Sequence, residues 1–589
     1  MTIEQNTQSK PWFSGEPFER LITLLIALVT LLAAVAGYLQ VQADGESSRA
    51  QNESQQFALQ AIGGRARGEI LAGYSWSDAY RTWLELDTQA VLAQNNLDQA
   101  RSQDLLTTRD QIATLTPLLQ SPYFDATLQD PPDLRAYEAA LYVQETAALH
   151  ESFLNADAVS GAWGDKSAIY VITLTLFTVA LFLYALSITV AKGINWLFVS
   201  LGSAMALATT IWMISIVLTP IAALPKLAIE AYAAGVGLAH EQEYRKAELA
   251  FDRAIQLAPA YANALYERAN VRYQLNQFKP AADDYQAAML AGRDDANLFW
   301  NAGWNAYRAG DFALAVAHTD QALQRLPSQI ALYFNLALTQ LASGDFAKSE
   351  ASYTFAATLV QQQVTSLRSA GKQPPVSLWW YLDTAVLDLR NLGHCIEQKA
   401  CDGAPPLASI AIDTKVAQLA RRWQQKLQSL AVMLEYPDLT ARLDAASAVS
   451  GTVTDITVST GVYDTAGALV AYQPLGETNG PLRFGMAQES QGQAMDTSLQ
   501  RASGATNRNL FVNFKYDTIQ SGQLVVLKVY LNDREASGLR QAFPWKLDQS
   551  GEAALPLTPG RTFTLAAGDY RVDIFVDGQF VQTATFQLS

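Results

Sequence analysis

The sequence predicts a multidomain membrane protein: three transmembrane helices, an α-helical insert, an α-solenoid of helical repeats and a C-terminal all-β sandwich. Three observations predict it. Three stretches of more than twenty residues carry no charge. Between them and the C-terminus, small and aromatic residues recur every 34 positions. After about Ser450 the composition shifts to Gly, Thr, Val and Asp in short alternating runs. The expected layout is a tail at 1–20, spans at 21–43, 167–191 and 193–220, a polar helical insert at 44–166, four repeats at 222–362, a degenerate repeat with capping helices at 363–440, and the sandwich at 450–589.

Leu21 to Ala43, Ser167 to Ala191 and Gly193 to Pro225 are free of Asp, Glu, Lys and Arg. About twenty apolar residues at a rise of about 1.5 Å cover the hydrocarbon core of a bilayer, so each stretch is long enough to span it. A cleaved signal peptide is the rival reading of the first stretch. Its leading segment should be short and basic, whereas Lys10 and Arg20 here face Glu4, Glu16 and Glu19. Trp196 and Trp212 sit near span ends, where amphipathic rings favour the interface. Lys10, Arg20 and Lys192 crowd the short segments on the N-terminal side, while Arg49, Lys166 and Lys226 are spread more thinly on the other. Positive charge favours the cytoplasmic side. The expectation is therefore a multi-pass cell-membrane protein with a cytoplasmic N-terminus and with repeats and β-domain outside.

The insert is rich in Gln, Ala, Leu and Asp and poor in β-branched residues, which favours helix. Trp76, Tyr80 and Trp83 share one helical face, read first as a packing stripe and second as a partner surface. Breaks fall at SPYFD and DPPD. The layout of one span, a polar insert and a tight pair of spans is loosely similar to small bacterial membrane proteins, and that likeness implies no activity.

Tyr244, Phe278, Phe312 and Phe346 are 34 residues apart. So are Ala247, Ala281, Ala315 and Ser349; Ala254, Ala288, Ala322 and Ala356; and Gly235, Ala269, Gly303 and Ala337. Small residues at fixed places let paired helices approach, and the period marks stacked helix–turn–helix units. From Ala228 to about Leu359 the chain resembles the tetratricopeptide repeat (TPR) family, most closely in YRKAELAFDRAIQLAP (Tyr244 to Pro259). Departures are Arg293 where Pro259 and Pro327 close other repeats, Thr319 for an aromatic, and Ser349 for alanine. The segments from Ser377 and from Leu407 to Tyr436 read as a degenerate fifth repeat and a cap.

The resemblance implies a scaffold that binds a peptide along the face of the first helices. Tyr232, Tyr266, Trp300 and Phe334 repeat at 34 on that face, with Asn270, Tyr273, Trp304 and Tyr307 further along and Asn263 and Asn297 at its edge. Aromatic rings give contact area at low entropic expense, and amides bond to peptide backbone. The expected partner-binding set is Tyr232, Tyr266, Asn270, Tyr273, Asn297, Trp300, Trp304, Tyr307 and Phe334. The competing reading has these rings covered by the chain's own helices. No lysines occupy groove positions, which argues against a clamp for a terminal carboxylate.

In the C-terminal part, VTDITVS, LFVNFKY, QLVVLKVYLN, YRVDIFV and QFVQTATFQL alternate as strands do, and Asp577-Gly578 suits a tight hairpin. Leu565, Gly568 and Tyr570 look like the tyrosine corner of immunoglobulin-like and fibronectin-like sandwiches; the resemblance covers about 25 residues and implies a spacer or adhesive module. Trp545 is a candidate core anchor, and Asp464 to Asn509 a candidate for long loops.

Composition excludes much. The 589-residue chain is half hydrophobic, has a net charge of −15 and shows no basic cluster, so nucleic acid is not an expected partner. Of two cysteines, Cys395 and Cys401 either form a small disulfide loop, if outside the cytoplasm, or stay as free thiols. With His394 they supply three soft ligands, one short of a structural zinc site. Asp283-Asp284 and Asp294-Asp295 read as solvated surface or turn and capping residues. No phosphate loop, dinucleotide fingerprint or nucleophile elbow is present, so no cofactor, small-molecule substrate or catalytic residue is assigned. The leading expectation is a membrane-anchored scaffold, ahead of an envelope adhesion or surface-assembly protein and of a membrane sensor.

Overall fold

The computed structural model describes residues 16–127, 130–190, 193–411, 414–436, 452–463, 469–474, 506–507, 510–547, 549–557, 564–565 and 567–588. Most of the expected N-terminal tail and of the loop-rich stretch 464–509 lies outside them. The chain forms two compact units, Met1–Arg293 and Asp294–Ser589.

In the first unit, α1 (Glu16–Tyr74) continues through a π-helical turn (Ser75–Tyr80) into α2 (Arg81–Asn95). A tight turn leads to α3 (Gln99–Ala113), whose first turn is capped by the Asp98 carboxylate accepting from the Arg101 amide. A short 3-10 turn (Pro117–Leu119) follows, and α4 (Leu134–Glu138) passes through a second π turn (Ala139–Val143) into α5 (Gln144–Thr189). Then come α6 (Asn195–Leu218) and two helical hairpins, α7 (Lys226–His240) with α8 (Tyr244–Leu257) and α9 (Ala262–Gln274) with α10 (Phe278–Leu290).

Three continuous helices, Phe18–Asn95, Leu134–Thr189 and Asn195–Leu218, are long and apolar enough to cross a membrane. The first two do not stop where the apolar run stops. Their polar halves are the insert, so no loop intervenes between span and insert. Antiparallel pairing of α1 and α5 explains this continuity. Ser47 bonds to Ser160, Asp44 accepts from Ser167 at 2.5 Å, and Gly68 lies where a Cβ would run into the Tyr142 ring.

The seam has a heptad grammar. Along α1 the buried positions Ile22, Val29, Ala36, Ala43 and Ala50 recur every seven residues. On α5 they are Tyr170, Thr173, Phe177, Ala180, Tyr184 and Ser187, and on α6 Val199, Gly202, Ala206, Thr209, Met213 and Ile216. Alternating steps of three and four make the stripe of a left-handed coil. Small residues suit it in an apolar environment, where packing rather than water exclusion holds helices together.

The repeats show their period in the backbone itself. Second helices begin at Tyr244, Phe278, Phe312 and Phe346, and the last three first helices at Ala262, Ala296 and Ile330. Each of the four turns inside a hairpin uses one left-handed residue: Gln242 (φ 65°), Asn276 (φ 58°), Gly310 (φ 83°) and Gly344 (φ 87°). At Gly310 a Cβ would also run into Ser409. Gly310→Ala should therefore lower stability by at least about 1–2 kcal/mol, read as a fall in Tm, because an L-residue resists the left-handed region.

The second unit continues with α11 (Ala296–Ala309), α12 (Phe312–Arg325), α13 (Ile330–Ala342) and α14 (Phe346–Ser369). The longer α15 (Val376–Gln398) packs on α13, and α16 (Thr414–Glu435) on α14, so the final hairpin keeps the alternation. Cys395, fully buried at the end of α15, is disulfide-bonded to Cys401.

The β-strands are β1 (Thr452–Tyr463), β2 (Leu469–Pro474), β3 (Thr506–Asn507), β4 (Leu510–Asp517), β5 (Leu524–Leu531), β6 (Arg534–Glu535), β7 (Gln541–Pro544), β8 (Gly551–Pro556), β9 (Thr564–Leu565), β10 (Gly568–Val576) and β11 (Gln579–Leu588). One sheet runs β2-β1-β4-β8 and another β11-β10-β5-β6 with β7 also on β5; β3 pairs with β9. The two larger sheets share a core in which Val512, Phe514 and Tyr516 meet Val525, Leu527, Val572 and Ile574. Trp545 is buried there against Tyr516, ring centroids 4.6 Å apart. Asp577 and Gly578, both at positive φ, turn β10 into β11. Tyr570 lies inside β10 with its ring stacked on Phe586.

Alternation in β5 suggests one buried face, yet Val525 through Tyr530 are all buried. The outer face of β5 and β10 lies under α16, where Val432 meets Val526 and Phe575. The β-domain is thus seated on the last helical hairpin and does not stand beyond it as a free tip.

Candidate functional site

In the second unit α11, α13 and α15 line a pocket of about 200 Å³. Trp300 and Trp304 come from α11, Phe334 and Asn335 from α13, and Trp380, Tyr381 and Asp388 from α15. Trp300 and Phe334 are brought there by the repeat period, 34 residues apart. Trp304 stacks on Tyr307 with centroids 4.9 Å apart, which fixes its ring. Trp380 stands at 60% exposure.

Asp388 lines the same recess and is half-buried. Burial pushes its carboxyl up to about 7, against the downward pull of the Arg308 guanidinium. Among the described residues no hydrogen bond or ion pair reaches this carboxyl. A carboxyl whose folded value lies above the unfolded one, about 3.9, favours folding at low pH and loses that contribution as the pH climbs through about 7.

The nine residues expected on this face separate. Trp300, Trp304 and Phe334 come together in the pocket. Tyr307 is fully buried behind it, and Asn297 is an exposed first-turn residue whose amide donates to Asp295. In the first unit, Tyr232 is buried against Phe251 and Tyr261, and Tyr266 is buried under the Arg293 guanidinium at 3.7 Å. The Asn270 side chain accepts from the Tyr285 hydroxyl at 2.7 Å, and Tyr273 packs on Phe278. Covering by the chain's own groups thus describes Tyr232, Tyr266 and Tyr307.

Part of that covering comes from the insert. Glu151 of α5 is buried and accepts from Tyr261 at 2.9 Å and from Asn263 at 2.8 Å. Burial pushes its carboxyl up, and those two bonds hold it down. His240 of α7 meets Glu138 at 2.9 Å. Arg293, in the place where two other repeats have proline, donates to Asn263 and covers Tyr266. The insert and the first two repeats therefore share one body, on the same end of α5.

The acid pairs are corrected in part. Asp295 caps α11 and Asp294 pairs with Arg325, as surface and capping residues do. Asp284 is instead buried, and binds Arg268 at 2.6 Å and Arg272 at 2.8 Å. Trp76, Tyr80 and Trp83 line up as a packing stripe: Trp83 is buried against Phe124, with Arg109 over its ring.

Sequence reasoning missed Trp380, Tyr381 and Asp388 as pocket residues. Counting 34 from Phe334 lands on Arg368, inside the long α14, because the extended helix displaces the next first helix. The run Trp379-Trp380-Tyr381 was the available signal.

No protein-family model matches the chain, and no curated protein matches it. Among solved structures it is similar to "MamA RS-1 ArsTM double mutant", at 21% identity over 23% of this chain and 76% of that one, TM-score 0.22. "YrrB: a TPR protein with an unusual peptide-binding site" matches at 16% identity over 37% of this chain and 91% of that one, TM-score 0.24. "MamA 41-end from Desulfovibrio magneticus RS-1" matches at 19% identity, 28% and 88% coverage, TM-score 0.22. These overlaps are too slight to add to the fold argument, which rests on the period and the packing.

Proposed function

We propose that the chain is a membrane-anchored TPR-type scaffold that captures a peptide segment of a partner protein in the pocket of α11, α13 and α15. One observation carries the reading: three tryptophans and a phenylalanine converge on a small recess of a repeat face, with Trp380 left largely open. Rigid aromatic anchors in a recess are the usual energetic centre of an interface. The finer parts are proposals of the same rank. The three apolar helices hold the protein in a cell membrane with the N-terminus cytoplasmic, and the repeats and β-domain face outward, where a Cys395–Cys401 disulfide is stable. The two-sheet C-terminal fold is of immunoglobulin-like type and acts as a module fixed to the scaffold.

A separate observation favours a sensor as the second reading. Helices α1 and α5 run unbroken from the apolar segments into the insert, and α5 is tied through Glu151 to the repeats. A movement of the insert would reach them directly.

The test is selection of peptides from a random phage-displayed library on the full chain in lipid nanodiscs. Peptides that bind the wild type and fail on Trp300→Ala support the pocket. A selected set indifferent to Trp300 and Trp304 contradicts it.

A further inference from the structure

We infer that a cleft between α15 and the strands β10 and β11 binds a small polar carboxylate, an acidic sugar or an amino acid, with the Arg571 guanidinium holding the carboxylate. The cleft shares no lining residue with the tryptophan recess and does not rest on the peptide-capture reading.

Its volume is about 760 Å³, within the range of about 300–1,000 Å³ for sites that take a whole small molecule. Helix α15 supplies Asn391 and His394 to the lining, α16 supplies Gln424, and the two strands supply Arg571, Thr585 and Phe586.

Arg571 points to an anion. Its side chain is 12% exposed, and among the described residues it makes no hydrogen bond. Its Nε is enclosed without a partner. The Asp573 carboxylate stands 3.8 Å from Nη1, beyond hydrogen-bond reach. Both oxygens of Asp573 are already engaged, one by the Thr583 hydroxyl at 2.7 Å and the other by the Gln428 amide at 2.8 Å. The guanidinium lies over the Tyr530 ring, 4.1 Å from its centroid, which holds its plane. A guanidinium carries five N–H donors, and leaving them unmade in a half-enclosed place is unfavourable. Its planar fork matches a carboxylate, which accepts two parallel bonds.

The other charges of the lining limit the ligand to one negative charge. Arg390 pairs with Asp533, and Arg421 with Glu397. Asp569, exposed at the start of β10, is the remaining acid, and it suits a hydroxyl or ammonium on the same ligand. A polyanion would meet these acids at close quarters. The Asn391, Gln424 and Thr585 side chains make no hydrogen bond among the described residues, so their donors and acceptors are open to a ligand. Burial and the Arg390 guanidinium push His394 down, so its neutral ring adds one donor and one acceptor near pH 7.

The experiment is isothermal titration of the full chain in lipid nanodiscs with glucuronate, galacturonate and glutamate, and with glucose as the neutral control. The expected result is saturable binding of at least one carboxylate, with glucose about tenfold weaker or more. Arg571→Lys keeps the charge and loses the fork, and should weaken that binding about tenfold or more. Thr585→Val, at an exposed position, should weaken it about threefold without moving the thermal transition, so a folding defect at Arg571 would not decide the matter. Binding of the sugar acids alone assigns an acidic sugar, and binding of glutamate alone an amino acid. No saturable binding of any of the three carboxylates, equal binding of glucose, or binding that both variants leave unchanged overturns the site.

Discussion

Replacing Lys528 with methionine should destabilise the C-terminal unit by about 3–5 kcal/mol, the range for removing one partner from a buried ion cluster. Lys528 is 1% exposed on the outer face of β5. Its ammonium meets Glu435 of α16 at 2.8 Å and Glu535 of β6 at 3.5 Å, and Arg540 bridges the same two carboxylates. Two cations thus balance two anions. A third carboxyl, Asp383 of α15, is pushed up to about 6, mainly by burial, against the pull of Lys528. Methionine would fill the space of the lysine stem but leave Glu435 and Glu535 with one cation between them. The measurement is chemical unfolding of the full chain followed through the β-domain. A loss under about 1 kcal/mol would mean that the cluster is solvated and does not seat the sheet on α16. The Asp383 contribution carries its own sign. Its folded value exceeds the unfolded one, so its stabilising share is present at acid pH and fades as the pH rises through about 6.

Trp300→Ala is expected to weaken peptide capture by about 2 kcal/mol or more, roughly thirtyfold, because a ring at the centre of a recess behaves as a binding hot spot. Trp304→Ala should do the same at a higher price in stability, since Trp304 also stacks on the buried Tyr307. Tyr232→Phe makes the contrast. That ring is core, and the change should leave capture intact. Binding titrations of one selected peptide against the three variants separate a pocket effect from a folding effect. Equal losses in all three would show that capture depends on the fold of the repeats and not on the pocket.

The parts of this architecture that are periodic were legible in the sequence. The 34-residue rows of Ala254, Ala288, Ala322 and Ala356 are all fully buried between helices, and uncharged stretches coincide with the three long apolar helices. What escaped is what depends on contact between distant segments. Glu151 reads as one more polar residue of an insert until Tyr261 and Asn263 close on it. Lys528 reads as the solvent side of an alternating strand until α16 covers it. Asp284 reads as a surface acid until Arg268 and Arg272 enclose it. In each case a buried charge is tolerated because its partner arrives from elsewhere in the chain, and single-segment patterns carry no trace of that partner. The pocket was half legible for a related reason: the period supplied Trp300, Trp304 and Phe334, and the lengthened α14 broke the count before Trp380 and Asp388.

The most direct test of an anchored scaffold is topology. Tags would be placed at the N-terminus, in the turn at 96–98 between α2 and α3, and after Ser589, and their protease sensitivity read on sealed membranes. The account predicts that the insert and C-terminal tags are cut together while the N-terminal tag is protected, because α7 and α9 pack against α5 on the insert's side. Insert and C-terminal tags on opposite faces of the membrane would contradict it.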